Sequence, residues 1–287
     1  MDRNSPADYV ETTADGISKA EKFIVDVKEL LAGLGELAAA HGVHIQSHVS
    51  ESEDEVAFSA TLHPEVMGRD VQIFEEFGLL RRGTVLAHGV HLNAQELETL
   101  GHHGAAIAHC PLSNFFFAGG VFPVRLANAM GVAVGLATDV SGGYCPNMLT
   151  AIRQAVVASK ALALHTLPEY ALPPLLLSKD GRNWGKGSLQ KPDEGVSEPP
   201  DLYQPLDYRD GLWLATRGGA RALNMEQEIG HLEPGAWFDA LLVDTSKGPF
   251  HVFDSDDQWD RLQKFVNLGD DRNIVNVWVA GDEVKHV

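Results

Sequence analysis

The segment 43–51, VHIQSHVSE, carries a histidine and a glutamate three positions apart at the end of an alternation of apolar and polar residues. The alternation predicts a short strand, and the acidic run 52–55 predicts the start of a helix. His48 is therefore expected at the carboxyl end of a strand, where α/β enzymes carry their chemistry. A neutral imidazole is a good zinc ligand, and a nearby carboxylate such as Glu51 can move protons on and off water. Taken alone, His-x-x-Glu is a weak signal.

The chain repeats this arrangement, because three further predicted strands also close on a histidine or an aspartate. Parallel strands joined by helices bring their carboxyl ends to one edge, so the closing side chains are expected at a common rim. Four such endings exceed what this composition supplies by chance. The predicted strands and closing residues are 43–47 with His48, 84–87 with His88, 105–108 with His109, and 132–137 with Asp139.

Helices that position these strands are predicted from apolar residues at helical spacing. Gly42 resembles a carboxyl-terminal helix cap and Asn93 an amino-terminal one. Two later strands, within 229–244 and over 274–279, have no helices in step with them, which predicts a small separate β layer. The predicted helices cover 20–40, 70–78, 94–100, 121–130, 147–164 and 212–223, the last interrupted by Gly218 and Gly219.

Length and composition favour a globular protein with one large core, since 44% of the 287 residues are hydrophobic. A net charge of -18 argues against a nucleic-acid partner, whose phosphates would be repelled. Two cysteines, Cys110 and Cys145, cannot form a disulfide framework; we expect buried thiols in a reducing compartment. The first residues are too polar for a signal peptide and no apolar run would span a bilayer, so the expected location is the cytosol.

Six segments carry more extended motifs than a strand ending. Together they resemble the guanine deaminase family, which lies within the metal-dependent amidohydrolase superfamily. The resemblance extends from about residue 28 to the end of the chain, apart from 178–207. The segments are 48–51 (HVSE), 87–89 (AHG), 108–114 (AHCPLSN), 135–143 (GLATDVSGG), 229–235 (IGHLEPG) and 268–274 (LGDDRNI).

The resemblance implies an α/β fold, the amidohydrolase-type (βα)8 barrel with a small β-sandwich domain. It implies a cytosolic homodimer that holds one zinc ion and hydrolyses guanine to xanthine and ammonia. His48 and Asp139 would be zinc ligands, and Asp139 would also accept a proton from water. Glu51 would carry that proton to the purine ring, and His88 would steady the water and the developing oxyanion. His48, Glu51 and Asp139 would also contact the substrate.

The chain departs from the family pattern in its first part. No two of its thirteen histidines are two residues apart, so the family's His-x-His strand is missing, as is its guanine-binding Arg-Phe strand. We therefore expect a truncated form with only the carboxyl-terminal half of the barrel. The expected division is a polar arm at 1–20, a partial barrel over 21–225 with a surface insertion at 178–207, and part of the β domain over 226–287.

Two alternatives to guanine deamination follow from this departure. In the first, the chain would be a catalytically inactive product that acts only through association. In the second, it would be an amidohydrolase for another aminated or chlorinated heterocycle. His109, Ser113 and Asn114 are expected to hydrogen-bond neighbouring loops and to shape the floor of the pocket.

Overall fold

A computed structural model of the chain describes residues 28–66, 69–166 and 204–286. The predicted arm at 1–20 and the insertion at 178–207, apart from its last four residues, lie outside these ranges. The first part of the chain alternates strands with helices, in the order that the sequence predicts. Its elements are α1 (28–41), β1 (Ile45–Val49), α2 (Glu53–Leu62), α3 (Asp70–Glu76), β2 (Thr84–His88), α4 (Ala94–His103), β3 (Ala106–His109), α5 (Pro111–Ser113), α6 (Val124–Ala129), β4 (Ala133–Leu136) and α7 (Met148–Thr166).

The second part carries short helices and a separate sheet. The helix predicted over 212–223 begins earlier, at Tyr208, and widens into a π-helical turn over Leu214–Gly218 before it continues. A second π-helical turn, Asn114–Ala118, follows α5. The elements of the second part are α8 (Tyr208–Trp213), α9 (Gly219–Ala222), β5 (Ala240–Val243), α10 (Gln258–Leu268), β6 (Ile274–Val279) and β7 (Asp282–His286).

The four strands β1 to β4 form one parallel sheet in chain order, which confirms the parallel β-sheet predicted from the strand–helix repeat. Val49 of β1 is in register with His88 of β2, and His109 of β3 with Leu136 of β4. All four carboxyl ends therefore lie along the same edge. The half-barrel and β-sandwich details of the expected fold stay predictions.

Local sequence explains where the helices beside this edge begin. Ser52 and Glu55 form a reciprocal capping box at the start of α2, and Asn93 and Glu96 form another at α4. Each box satisfies two backbone N–H groups that the first helical turn leaves without partners. The acidic run after β1 is thus a helix start, as predicted, and it places Glu51 in the turn between strand and helix.

The core lies between the sheet and its helices. Val49, Leu86, Ile107 and Val134, one from each strand, are at most 1% exposed. On β4 the covering segment approaches very closely, because a side chain on Gly135 would lie 3.0 Å from the Cα of Gly219. Burial of such aliphatic side chains is the main favourable term for folding, at about 1.5–3 kcal/mol each.

The strands β5, β6 and β7 form a separate three-stranded antiparallel sheet, in line with the predicted β layer. Ala280 and Gly281 connect β6 to β7 with φ angles of 50° and 89°. Leu241 and Leu242 of β5 are both more than half exposed, so this sheet contributes little to the core. Within the described ranges, no helix is both long enough and apolar enough to cross a membrane.

Candidate functional site

The carboxyl edge of the parallel sheet brings together the four residues for which the sequence predicts chemistry. His48 lies in β1 and Glu51 in the turn after it, His88 ends β2, and Asp139 follows β4. The imidazoles of His48 and His88 meet edge to face, with ring centroids 4.7 Å apart. We call this group the rim cluster.

His88 is the centre of the rim cluster. Its side chain is completely buried, and Nε2 lies 3.7 Å from Oε2 of Glu51 and 4.0 Å from Oδ2 of Asp139. Nδ1, on the other side of the ring, is 3.0 Å from Oδ1 of Asn114. With that amide oxygen as acceptor, Nδ1 carries the ring proton, and the lone pair of Nε2 in a neutral ring faces the two carboxylates.

His48 and Glu51 form the more open side of the rim cluster. Nδ1 of His48 lies 3.9 Å from Oε2 of Glu51, and the histidine side chain is 56% exposed. Glu51 is less exposed, and its backbone N–H donates to Oε2 of Glu55 at 2.6 Å. His48 therefore faces the open mouth of the site, whereas His88 closes its floor.

The loop after β4 places Asp139, and two glycines make its path possible. The backbone N–H of Gly143 donates to the carbonyl oxygen of Asp139. A side chain on Gly142 would lie 2.7 Å from Oδ2 of Asp139, and one on Gly143 would lie 1.9 Å from the carbonyl oxygen of Thr138. The Thr-Asp-x-Ser-Gly-Gly motif is thus a packing requirement of the loop that presents the carboxylate.

Three residues of the rim have left-handed backbones although they are not glycines. The φ angles are 46° at Ser50, 74° at His88 and 49° at Asp139. Such conformations cost about 1–3 kcal/mol each and persist only where surrounding contacts hold them. Their concentration at the ends of β1, β2 and β4 indicates that the fold gives up stability to bring the side chains of the rim cluster to one point.

The donor groups of the rim fit a divalent metal ion. One potential ligand atom each from His48, Glu51 and His88 lie within 4.8 Å of one another, and the same holds for His88, Cys110 and Asp139. Nε2 of His88 is buried and has no hydrogen-bond partner. A cation or a water molecule next to Nε2 would separate its lone pair from the two carboxylates and would satisfy the ring.

The hydrogen bonds to neighbouring loops expected of His109, Ser113 and Asn114 are met only in part, and their role as a pocket floor stays a prediction. Asn114 contacts His88, and Oγ of Ser113 donates to the carbonyl oxygen of Cys110 at 3.3 Å. His109 packs against Phe122 instead, with ring centroids 5.6 Å apart. Burial, with the nearby charge of His88 as a smaller contribution, lowers the pKa of His109 to about 3, so this ring is neutral.

The two cysteines differ from each other. Cys110 is buried, as predicted, and burial together with the nearby Asp139 carboxylate raises the pKa of its thiol to about 12. Cys145 is partly exposed, so the prediction that it is a buried thiol was wrong. The closeness of Cys110 to His88 and Asp139 was not predicted. A single cysteine after a strand indicates a buried small side chain, and only the three-dimensional arrangement of the strands brings it next to the other two residues.

The profile of the amidohydrolase family matches residues 6–177 and 201–284 of the chain. Guanine deaminases from Dictyostelium discoideum and Homo sapiens are 30% and 33% identical to it, each over 99% of this chain. The chain spans 61% of the length of either protein.

Solved structures of two deaminases also resemble the chain. A guanine deaminase from C. acetobutylicum, with guanine bound in its active site, has a TM-score of 0.71 and 26% identity, and the match covers 99% of this chain and 63% of that one. An adenosine deaminase from Xanthomonas campestris with bound zinc has a TM-score of 0.67 over 90% of this chain and 49% of that one. At 22% identity, the second likeness is one of fold.

Proposed function

We propose a function from one established premise, that this chain belongs to the amidohydrolase family. The proposed reaction is the hydrolytic deamination of guanine to xanthine and ammonia. The observation that carries the proposal is the rim cluster, in which His48, Glu51, His88 and Asp139 converge at the carboxyl edge of the sheet. The similarity to guanine deaminases over nearly the whole chain favours guanine as the substrate.

The metal in this proposal is a single zinc ion held by His48 and Asp139. The donor set supports zinc, because imidazole nitrogen and carboxylate oxygen are both zinc ligands. The buried Nε2 of His88, without a hydrogen-bond partner and facing two carboxylates, also supports a bound cation. Zinc, when bound, lowers the pKa of water toward about 7 and so supplies a nucleophile at neutral pH.

The other residues of the rim cluster have the groups that proton transfer requires. Asp139 is the proposed acceptor of the proton that water loses, and Glu51 is proposed to carry a proton to the ring nitrogen of guanine. Nε2 of His88 is directed to hydrogen-bond the attacking water, because the contact with Asn114 fixes the other ring nitrogen. A buried floor and an open mouth at His48 would let guanine enter while limiting the water around the reacting carbon.

The homodimer and the cytosolic location implied by the family resemblance belong to the same proposal. Neither cysteine of the chain is in a disulfide, which agrees with a reducing compartment.

The proposal is tested by incubating the purified 287-residue chain with zinc and guanine and measuring ammonia release. We expect release by the wild type, and a loss of about 10²–10⁴-fold in His88→Ala, the usual range for a residue that acts in proton transfer or positions water. His102→Ala, which removes an exposed histidine from α4, is the matched control and should retain activity.

Two other outcomes would replace guanine deamination by an alternative. Bound zinc with hydrolysis of a chlorinated triazine but not of guanine would assign a different heterocycle. A chain with neither zinc nor activity on either compound would be the inactive product.

A further inference from the structure

Ser50 lies between His48 of β1 and Glu51 in the turn that follows the strand. Its side chain is completely buried, and its backbone has a φ angle of 46°. Its Oγ has no hydrogen-bond partner, so its own side chain does not hold this conformation. The left-handed backbone must be held by groups from elsewhere, because serine does not prefer it.

Both backbone groups of Ser50 are occupied by residues that are distant in sequence. Its N–H donates to Oδ2 of Asp70 at 3.3 Å, and its carbonyl oxygen accepts from the N–H of His91 at 3.0 Å. The His91 contact joins the loop after β1 to the loop after β2. The Asp70 contact is the one that depends on a side chain, so it is the one that a substitution can remove.

Asp70 is also tied to α2. Its Oδ1 accepts from Oγ of Ser59 at 2.9 Å, so one carboxylate links the first residue of α3, the middle of α2 and the end of β1. The pKa of Asp70 is raised, chiefly because its carboxylate is desolvated, and the charge of Glu55 adds to the rise. The Ser59 hydroxyl, the Ser50 amide and the charge of Arg69 act in the opposite direction. A largely buried carboxylate with this cost is expected to have a specific partner to hold.

We propose that Asp70 is a positioning residue for the rim cluster, whose carboxylate holds Ser50 in its left-handed conformation so that His48 and Glu51 both face His88. The inference rests on the proposed function, since it assigns Asp70 to the same site. The hydrogen bonds of the Asp70 carboxylate within the described ranges go to Ser50 and Ser59 and not to the rim cluster, so it acts through the backbone of Ser50. Loss of the carboxylate lets residue 50 relax to an extended conformation, which turns Glu51 away from Nε2 of His88.

The test compares Asp70→Ala, Ser50→Gly and the double variant in the 287-residue chain. Zinc affinity is measured by competition with a chromophoric chelator, and ammonia release from guanine is measured separately. We expect Asp70→Ala, which removes the acceptor of the Ser50 N–H, to lower zinc affinity and kcat by about 10–100-fold, as is typical when a residue that orients metal ligands is changed. Ser50→Gly should restore most of that loss, because glycine adopts the left-handed conformation without help.

Ser59→Ala is the matched control, because it removes the other hydrogen bond of Asp70 and leaves the one to Ser50. We expect it to lower stability without the loss in zinc affinity. Crystal structures of the wild type and Asp70→Ala supply a readout that needs neither metal nor activity, namely the φ angle of Ser50 and the distance from Glu51 to His88. If Asp70→Ala does not fold, Ser50→Val and Ser50→Asn take its place, since valine excludes the left-handed conformation and asparagine tolerates it.

Three results would overturn the inference: an unchanged Ser50 φ in Asp70→Ala, a loss that Ser50→Gly does not restore, or equal behaviour of the valine and asparagine variants. Absence of ammonia release in the wild type would count against guanine deamination alone, because zinc affinity and the two crystal structures still decide the role of Asp70.

Discussion

The edge of the parallel sheet and the carboxyl-terminal antiparallel sheet both contain non-glycine residues with positive φ, and they hold them in different ways. At the antiparallel sheet, Ala280 is left-handed within a two-residue hairpin connection, in which both residues need positive φ. At the rim, Ser50 and His88 are left-handed and completely buried, and distant groups hold Ser50. The N–H of Ala280 also donates to a distant side chain, that of Asp239, but the hairpin connection by itself already requires positive φ. No two-residue hairpin connection requires it at Ser50, which lies between a parallel strand and a helix.

This difference indicates where the chain accepts a loss of stability for function. The strands β5 and β7 have large apolar side chains that are more than half exposed, such as Leu242 and Val284. The rim instead holds a buried imidazole without a partner on one nitrogen and two carboxylates near it. Such an arrangement is costly in an empty site and useful when a cation and a substrate occupy it.

The largest expected difference between the two regions is in activity. We expect Glu51→Gln to lower guanine turnover by about 10²–10⁴-fold, because glutamine cannot transfer the proton. Its fold should be retained, since the Glu51 side chain is partly exposed at the mouth. Glu283→Gln on β7 is the matched control and should leave turnover unchanged. Equal losses in both variants, measured as ammonia release, would remove the functional distinction between the regions.

A second test compares ion pairs. Nη1 of Arg69 lies 3.1 Å from Oε2 of Glu96, and the two side chains are only 6% and 2% exposed. Glu96→Gln removes one partner of a buried pair, which typically lowers the free energy of unfolding by about 3–5 kcal/mol. Asp270→Asn removes the partner of Arg272, in a pair that is much more exposed and close to the antiparallel sheet, and we expect a far smaller change.

Urea unfolding of both variants and of the wild type supplies the measurement. A similar decrease for Glu96→Gln and Asp270→Asn would mean that burial does not separate the two regions. Desolvation raises the pKa of Glu96 although Arg69 opposes the rise, so the pair is held at some cost even in the wild type.

A gain in stability is expected in the hairpin turn. Ala280→Asn places in the first turn position a residue that accepts positive φ more readily, and the free energy of unfolding should rise by about 0.5–1 kcal/mol. The backbone N–H of Ala280, which donates to Oδ1 of Asp239 at 2.7 Å, is unaffected by the change. A decrease in stability would show that the turn, like the rim, depends on contacts beyond its own residues.

The sequence predicted the strand endings at the rim because their signals are local. An apolar run that closes on His88 or Asp139 is visible in a few residues, and the parallel connection then fixes which edge they share. The start of α2 was equally readable, since Ser52 and Glu55 have capping-box spacing.

The contacts that support the rim were not readable in the same way. Asp70 lies twenty residues from Ser50, and nothing in its neighbourhood distinguishes it from an ordinary helix-start aspartate until the two meet. The sequence likewise predicts only a buried thiol at Cys110, and its position beside His88 and Asp139 follows from the pairing of β2, β3 and β4. Sequence reasoning therefore predicted the side chains that meet at the rim, together with Asn114 beside them, and missed Asp70 and Cys110, because those contacts join residues distant along the chain.

The smallest expected effect concerns the two cysteines and shows how closed the floor of the rim is. The backbone amide of Asn147 and the hydroxyl of Thr150 lower the pKa of the Cys145 thiol, and Cys145 is partly exposed. Cys110 is buried and its pKa is raised to about 12. At pH 8 the thiolate, which is the reactive form, is therefore available at Cys145 and scarce at Cys110.

We expect iodoacetamide to modify one thiol per folded chain, at Cys145, and two after unfolding, with mass spectrometry of peptides as the measurement. Cys145→Ser should then leave the folded chain almost unmodified, whereas Cys110→Ser should leave the modification unchanged. Rapid modification of Cys110 in the folded wild type would mean that the floor beneath His88 opens to solvent. In that case the buried Nε2 of His88, which has no hydrogen-bond partner, would not indicate a closed site. The rim and the antiparallel sheet would then differ only in average burial.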